Sequence, residues 1–408
     1  MRIAYLTQWF EPEPNIVKGV AFVAALQAAG HEVTVVTGFP NYPQGRIYPG
    51  YRQRLVHRET IGGVSIVRLP LYPSHDRSSV RRALNYLSFF VSALAYLIIR
   101  RQRFDLAYVY HPPITVGLAA GIAGVIRPLP FVLDVQDLWP DTILATGMRG
   151  AGRLAGPLGA CCRFVYRRAG AIIAQSQGMR RALIERGVPD GKITLVRNWA
   201  DAEFRDIPPA KARKGAFTLV YGGNFGRAQQ LDCALEAAAK LSDRRDIRFE
   251  LFGSGVEEDA LRDHATRHQL ANVHFGGRVS QERMIQVFAD ADALLLHIGD
   301  DPLFEITIPS KTQFYLAMGR PIIAAVNGET ATILRDSGAA IVVPPRDPIA
   351  LASAIRELAG LSATQRAALG RAGSAYYRRN LSFSRARDRT IAVIEGTYEK
   401  ARAGRRIQ

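Results

Sequence analysis

The chain has 408 residues, 48% hydrophobic and 22% charged, with a formal net charge of +17 and an isoelectric point near 10.1. That length and apolar share exclude a disordered chain and predict two or three domains with real cores. The basic excess calls for an anionic partner, and charge alone leaves nucleic acid, an anionic membrane and a phosphorylated substrate all open.

Met1 to Thr7 runs straight into a strand pattern without the apolar core of a signal peptide, so export through such a signal is not expected. From there short apolar runs alternate with helical patterns, as in strand-helix-strand units with parallel sheets. A first series of strands is expected near 3–7, 33–37, 64–69, 105–110, 131–135 and 171–175. A second is expected near 217–222, 248–252, 273–275, 293–298, 321–325 and 340–343. Between them, Ala202 to Ala216 carries Pro208-Pro209 and the basic Lys211, Arg213 and Lys214, as a linker does. The predicted fold is α/β: a doubly wound domain at 1–201, a linker at 202–216 and a second doubly wound domain at 217–385. A helix at 386–408 is a candidate to pack back on the first domain. Ligands of such sheets sit beyond the carboxyl ends of the strands, so the cleft between the domains is the expected site. Cys161, Cys162 and Cys233 show neither a paired framework nor a metal spacing; small buried apolar residues in a reducing cytosol is the simpler account.

One stretch of the first domain stands apart. Ala83 to Ile99 is seventeen residues without a charge, flanked by Arg81-Arg82 and Arg100-Arg101. As a helix at about 1.5 Å per residue it reaches about 26 Å, short of a hydrocarbon core of about 30 Å. A crossing helix would also put strands before 70 and after 105 on opposite sides of a membrane, although they must share one sheet. Asn85, Ser88, Ser92 and Tyr96 make a weakly polar stripe opposite Leu84, Leu87, Phe90, Val91, Leu94 and Ile98. A helix lying in the membrane interface fits best, with a hydrophobic packing helix as the alternative. Further on, Asp137 follows a buried strand beside Trp139 and is a candidate to orient a substrate hydroxyl; a helix cap explains it equally. Gly19, in the loop before the first helix, offers backbone room near a ligand's phosphates or the reacting centre, or is a plain turn. His111 also follows a strand and reads as structural.

In the second half, the strand ending at Tyr221 runs into Gly222-Gly223-Asn224-Phe225-Gly226-Arg227-Ala228-Gln229-Gln230. Glycines after a strand let backbone approach phosphate oxygens, and Arg227 adds a permanent charge. Gly253-Ser254-Gly255 lacks the third glycine of a dinucleotide fingerprint and serves equally as a turn. Asp300-Asp301 has no third spaced ligand and reads as an exposed loop, not a metal site. Glu305 then precedes Ile308-Pro309-Ser310-Lys311-Thr312-Gln313, where Pro309 suits a first helical turn, and Gly319 suits the left-handed residue that ends the helix. The unpaired N–H groups and positive end of such a helix can hold a diphosphate, with Lys311 adding a full charge.

Together these stretches resemble the retaining nucleotide-sugar glycosyltransferases of family 4, which have the GT-B fold of two Rossmann-like domains facing a cleft. The likeness extends over nearly the whole chain and is strongest to bacterial surface-polysaccharide members. Gln8 to Pro14, Gly30 to Pro43, Asp134 to Asp141 and Ile308 to Lys311 look like motifs of that subgroup. The resemblance implies that the carboxy-terminal domain holds the sugar nucleotide and the amino-terminal domain presents the acceptor. Two positions depart from it. Where many members have a Glu-x7-Glu pair, Glu305 is followed at that spacing by Gln313, and counting back from Gly319 instead puts Phe314 and Ile306 at the pair. The Arg and Lys usual in the phosphate loop fall at Asn224 and about Gln229.

The candidate catalytic residues are therefore Glu305, Arg227, Lys311 and Asp137. The candidate donor-binding residues are Gly19, Gly223, Asn224, Gly226, Gly253, Gly255, Arg278, Thr307, Pro309, Ser310 and Gln313. No metal or other cofactor is expected, because cationic side chains and helix N–H groups do the work of a divalent ion. The expected enzyme transfers a hexose or N-acetylhexosamine-type sugar, with retention, from a nucleoside diphosphate, UDP first, to a polyprenyl-diphosphate-linked glycan. It would work as a peripheral or monotopic protein at the anionic cytoplasmic face of the inner membrane. A GT-B sugar-nucleotide epimerase and a basic nucleic-acid-binding or scaffold protein are the alternatives. Against the last, no helix combines basic residues with a groove-reading pattern.

Overall fold

A parallel sheet covered on both faces demands strands buried along their whole length, and the chain supplies two sets of them. The structure is a computed structural model that describes residues 1–14, 17–75, 78–100, 104–141, 151–200 and 215–407. The first set is β1 (Arg2–Leu6), β2 (Glu32–Gly38), β3 (His57–Ile61), β4 (Val64–Leu69), β5 (Leu106–His111), β6 (Phe131–Val135), β7 (Ala171–Ala174) and β8 (Ile193–Leu195). Their spatial order is β3-β4-β2-β1-β5-β6-β7-β8. Central β1 pairs in parallel with β2 and β5, Ile3 lying between Val33 and Leu106. Helices α1 (Val20–Ala28), α2 (Ser79–Ile99), α3 (Ile114–Ile126), α4 (Ala151–Arg168) and α5 (Gln177–Glu185) connect them.

Two strands here were not expected from sequence. β3 runs antiparallel to β4 across Gly62-Gly63, with Ile61 opposite Val64. Both glycines have positive φ, 55° and 79°, which is what a two-residue hairpin turn requires. The other, β8, has only three residues, too few for a periodic signal.

The second set is β9 (Phe217–Asn224), β10 (Ile247–Ser254), β11 (Val273–Gly277), β12 (Ala293–His297), β13 (Ile322–Ala325) and β14 (Ala340–Val343), in the order β11-β10-β9-β12-β13-β14 with every pairing parallel. Its helices are α6 (Asp232–Ala239), α7 (Glu258–Arg267), α8 (Gln281–Asp290), α9 (Pro302–Ile306), α10 (Ser310–Met318), α11 (Gly328–Ser337), α12 (Pro348–Gly360) and α13 (Ala363–Asn380). A last helix, α14 (Phe383–Ile407), ends the chain.

The chain forms two compact units, Met1–Arg197 with Ser384–Gln408, and Asn198–Phe383. The final helix therefore belongs almost wholly to the first unit. There Arg389 Nη1 donates to Leu195 O at 3.3 Å, Glu395 Oε1 lies 3.4 Å from His31 Nε2, and Thr397 fills the space above Gly170, where a Cβ would lie 2.6 Å from its methyl. The linker expected at 202–216 lies outside the described residues except for its last two positions.

Candidate active site

Strand β9 carries its buried pattern through Gly222 and then emerges as Gly223 and Asn224, so the glycine loop begins at the carboxyl edge of the sheet. Gly223 has φ 143°, and a Cβ there would fall 2.6 Å from Lys311 Cε and 2.7 Å from Nζ. The lysine thus lies directly under the loop backbone, and only glycine allows it. Lys311 is held by one hydrogen bond from Nζ to Tyr221 Oη, 2.6 Å, with its nitrogen 3.9 Å from the centre of the Tyr221 ring. No carboxylate lies within ion-pair distance of it among the described residues. Burial pushes its ammonium down to about 7. An ammonium shielded from water without a counter-charge is unfavourable by several kcal/mol, a cost that an anion beside it would offset.

Helix α10 starts beside this lysine. Pro309 stands at the N-cap position, with φ −57° and ψ 139°, one place earlier than expected, and no side chain caps the helix. Gly319 ends it in the left-handed region at φ 64°. The first-turn N–H groups of Ser310 and Lys311 are therefore open to a ligand. Gln313 turns away from such a ligand: it is 1% exposed, and its amide nitrogen donates to Pro309 O at 2.9 Å and Ser310 O at 3.2 Å. Its place is to shape the turn, because its side chain points into its own helix start.

The other loop residues divide clearly. Asn224 and Gln229, where family members carry cations, hydrogen-bond each other at 3.4 Å. Arg227 begins a 3-10 turn, Arg227–Gln229, with its side chain 90% exposed and paired to Glu257 at 3.2 Å. An exposed pair of this kind holds little energy. A Cβ on Gly253 would lie 1.8 Å from Gly223 O, and one on Gly255 2.2 Å from Phe225 O. Those two glycines are explained by loop-on-loop packing, which the sequence motif does not distinguish from ligand approach. Gly226 meets the Asn224 and Gln229 side chains in the same way. Beneath the turn, His297 Nδ1 lies 2.8 Å from Gln229 O, and Gly299 N donates to Ala228 O at 2.8 Å. Neither was a sequence candidate.

Glu305 is exposed on the five-residue α9, which Asp301 caps by accepting from Leu303 N at 2.8 Å. Asp300 accepts from Asn327 Nδ2 at 3.1 Å. Thr307 O accepts from Thr330 Oγ1 at 3.2 Å, so the loop ahead of α10 is braced by α11. Arg278 is exposed beyond the end of β11.

In the first unit, Gly19 caps α1 for a reason the sequence did not reveal. Glu11 Oε1 accepts from Val20 N at 2.8 Å, and a Cβ on Gly19 would lie 1.8 Å from that oxygen. Gly19 makes room for the chain's own carboxylate. Below it, Lys18 and Asp134 form an ion pair whose side chains are 0% exposed, and Tyr108 donates to the same carboxylate. Glu13 accepts from the N–H groups of Phe10, Asn41 and Tyr42, and burial lifts its carboxyl to about 7.

Asp137 lies past the end of β6, and burial raises its carboxyl above the ordinary range. Its charge acts on Tyr86, which belongs to a row of rings, Tyr42, Trp9, Tyr86 and Trp139, that follow one another at centroid distances of 5.8, 6.2 and 6.2 Å.

Tyr86 comes from α2, whose polarity is the reverse of a soluble helix. Asn85 is 1% exposed; its amide donates to Tyr72 O at 2.7 Å, and its carbonyl accepts from Gln8 Nε2 at 2.6 Å. Ser88 accepts from Tyr72 N, and Ser92 donates to Pro70 O, each at 2.7 Å. The polar stripe thus faces the protein. Outward stand Val80, Leu84, Leu87, Val91 and Ile99, between 47% and 75% exposed. The helix has 21 residues, about 31 Å at 1.5 Å per residue, but its first turn carries Arg81 and Arg82, so its uncharged part is the expected seventeen residues, about 26 Å. The topological objection does hold, since β4 before it and β5 after it are in one sheet.

Two comparisons by sequence and one by structure bear on this geometry. Residues 20–199 match a family model described as a glycosyl transferase 4-like domain, and residues 216–360 one described as glycosyl transferases group 1. WcaI of Escherichia coli (strain K12), named as a colanic acid biosynthesis glycosyl transferase, is 29% identical over 360 residues, 81% of this chain and 85% of that protein. WbjE of Pseudomonas aeruginosa, named as a glycosyltransferase, is 26% identical over 245 residues, 57% of this chain and 60% of that one. Among solved structures, Anabaena HepE in complex with UDP and glucose superposes with a TM-score of 0.66 at 14% identity, covering 97% of this chain and 99% of that one. Sucrose-phosphate synthase from Thermosynechococcus elongatus gives 0.70 at 16% identity, covering 98% and 100%. With a glycosyltransferase model matched in each half and a two-unit α/β architecture shared along nearly all its length, the chain belongs to the family 4 glycosyltransferases of GT-B fold.

Proposed function

We propose that the protein transfers a hexose or N-acetylhexosamine-type sugar from a nucleoside diphosphate, UDP first, to a polyprenyl-diphosphate-linked glycan, with retention, during bacterial surface polysaccharide assembly. The observation that carries this is Lys311, an enclosed ammonium without a carboxylate partner, beneath Gly223 and beside an uncapped helix start. The leaving diphosphate gains negative charge as the sugar becomes oxocarbenium-like, and fixed donors already in place stabilise that change without reorganising. Lys311 and the N–H groups of Ser310 and Lys311 supply them, while Arg227 adds a looser, solvent-exposed charge. Glu305 offers a carboxylate to a sugar hydroxyl or to the positive ring carbon. The departing phosphate takes the acceptor's proton on the face it leaves, so no separate base and no metal is needed. Support for the donor comes from HepE, solved with UDP and glucose, and for the product class from WcaI, named for colanic acid biosynthesis.

The acceptor's lipid fits the outward stripe of α2. Each Val, Leu or Ile fully withdrawn from water contributes about 1.5–3 kcal/mol, and each basic residue near anionic lipid about 1 kcal/mol, enough to hold the protein at the cytoplasmic face without a crossing segment. The test is to incubate purified full-length protein with a panel of radiolabelled sugar nucleotides and a lipid-linked acceptor, reading label transfer and the anomeric configuration of the product. Transfer with retention from one donor is expected. Absence of transfer from every donor, with folded protein and native lipid present, overturns the proposal, and nucleotide release without acceptor points instead to an epimerase.

A further inference from the structure

The row of rings in the first unit passes beside a cation that makes no ion pair among the described residues. Arg82 lies one turn before Tyr86 on the inward face of α2, makes no hydrogen bond or ion pair among the described residues, and its Nε is buried without a partner. Its charge is felt at the Tyr86 hydroxyl, as is that of Asp137. Trp139, whose ring centre lies 6.2 Å from that of Tyr86, is 8% exposed, and its Nε1 also lacks a partner among the described residues. That ring is firmly placed, because Trp139 O accepts from Arg186 Nη1 at 3.2 Å and from Cys162 Sγ at 3.4 Å. Two donors left over around one tyrosine, one of them a guanidinium, call for an acceptor-rich anion. The neighbouring positions Val80 and Leu84 belong to the exposed apolar stripe of the same helix. An anion held by Arg82 would therefore sit at headgroup depth when that stripe meets lipid, with Trp9 and Tyr86 offering ring faces to what it carries.

We propose that Arg82, Tyr86, Trp139 and Trp9 form the acceptor subsite, in which Arg82 grips the diphosphate of an isoprenoid-linked substrate and Asp137 stands next to the sugar it carries. The assignment rests on the lipid-linked acceptor named above and gives that acceptor a place. Arg82 is a binding and positioning residue; it takes no part in bond making.

The test uses the full-length protein and farnesyl diphosphate as probe, followed by tryptophan fluorescence, with farnesol, UDP and phosphatidylglycerol vesicles titrated in parallel. Farnesyl diphosphate should quench saturably and farnesol at least about tenfold less tightly, as charged hydrogen bonds to phosphate predict. Arg82→Gln should weaken farnesyl diphosphate by about tenfold or more, Arg82→Lys by less, and both should sediment with vesicles and bind UDP as the parent does. Equal affinity of the parent and Arg82→Gln for farnesyl diphosphate overturns the proposal. So does displacement of farnesyl diphosphate by UDP, which would place it in the donor site. So does a loss confined to vesicle sedimentation, which would make Arg82 a contact for bulk lipid headgroups. The UDP titration judges the donor reading separately, since Arg82 is on the other unit from Lys311.

Discussion

Two helices begin beyond the carboxyl end of a parallel strand, and their first turns meet opposite electrostatic conditions. At α1 the need of the open N–H groups is met from inside, by Glu11, and Gly19 exists to admit that carboxylate. At α10 no side chain caps the turn, and a lysine with no counter-charge among the described residues stands beside it under Gly223. The same backbone dipole thus makes a joint in one unit and leaves a first turn without a capping side chain in the other. What separates them, among the described residues, is a carboxylate that accepts from the first turn of α1 and has no counterpart at α10.

The sharpest way to break this contrast is Lys311→Met. It should lower kcat/KM about 1,000-fold, as loss of a preorganised cation at a developing charge does. It should also stabilise the fold at neutral and lower pH. An unfolded lysine holds its proton to about 10.5 and the folded one only to about 7, so between those values the unfolded state binds more protons and the parent gains stability as pH rises. The advantage of Lys311→Met in melting temperature should therefore shrink from pH 7 to pH 10.5. A variant that loses stability at pH 6 would show that Lys311 has an internal partner after all.

The same titration sets the pH profile of nucleotide binding. A bound diphosphate keeps the ammonium charged, so above about 7 the free protein must take up a proton to bind. UDP affinity measured by calorimetry should fall by up to about tenfold per pH unit there and be flat in Lys311→Met. Gly223→Ala should weaken UDP by about tenfold and destabilise by about 1–3 kcal/mol, since it forces a Cβ into Lys311 at φ 143°. Glu11→Ala sharpens the other side: thermal unfolding should show a loss of about 1 kcal/mol, the usual worth of a cap, with UDP affinity unchanged. Smallest of all is Arg227→Ala, expected to change donor KM by no more than about threefold because its side chain already lies in solvent.

Much of this was legible in the residues. Twelve of the fourteen strands showed as buried apolar runs, because parallel strands lack the ambiguity of one wet face. β3 escaped because its alternation is half-exposed and amphipathic, although Gly62-Gly63 marked its turn. At the site, Pro309, Lys311 and Gly319 could be placed on a helix from their backbone preferences alone. Gly19, Gly253 and Gly255 could not be assigned, because a glycine records only that something comes close; whether that is Glu11, Gly223 or a ligand depends on the fold. Likewise the polar stripe of α2 was visible, but its direction was not. Asn85 finds its partners in Gln8 and Tyr72, far away along the chain, and so turns the apolar stripe outward.

The return of α14 to the first unit makes residues 198–383 an insertion within it. The two crossing points are neighbours, for Trp199 and Phe383 meet edge to face at 5.0 Å, and Ala200 N donates to Tyr377 Oη at 3.1 Å. On the ribosome, the inserted module is complete while its host still lacks the last 25 residues, Ser384 to Gln408. The half that carries Lys311 can thus mature first, and the half that carries Arg82 closes only once α14 has been made.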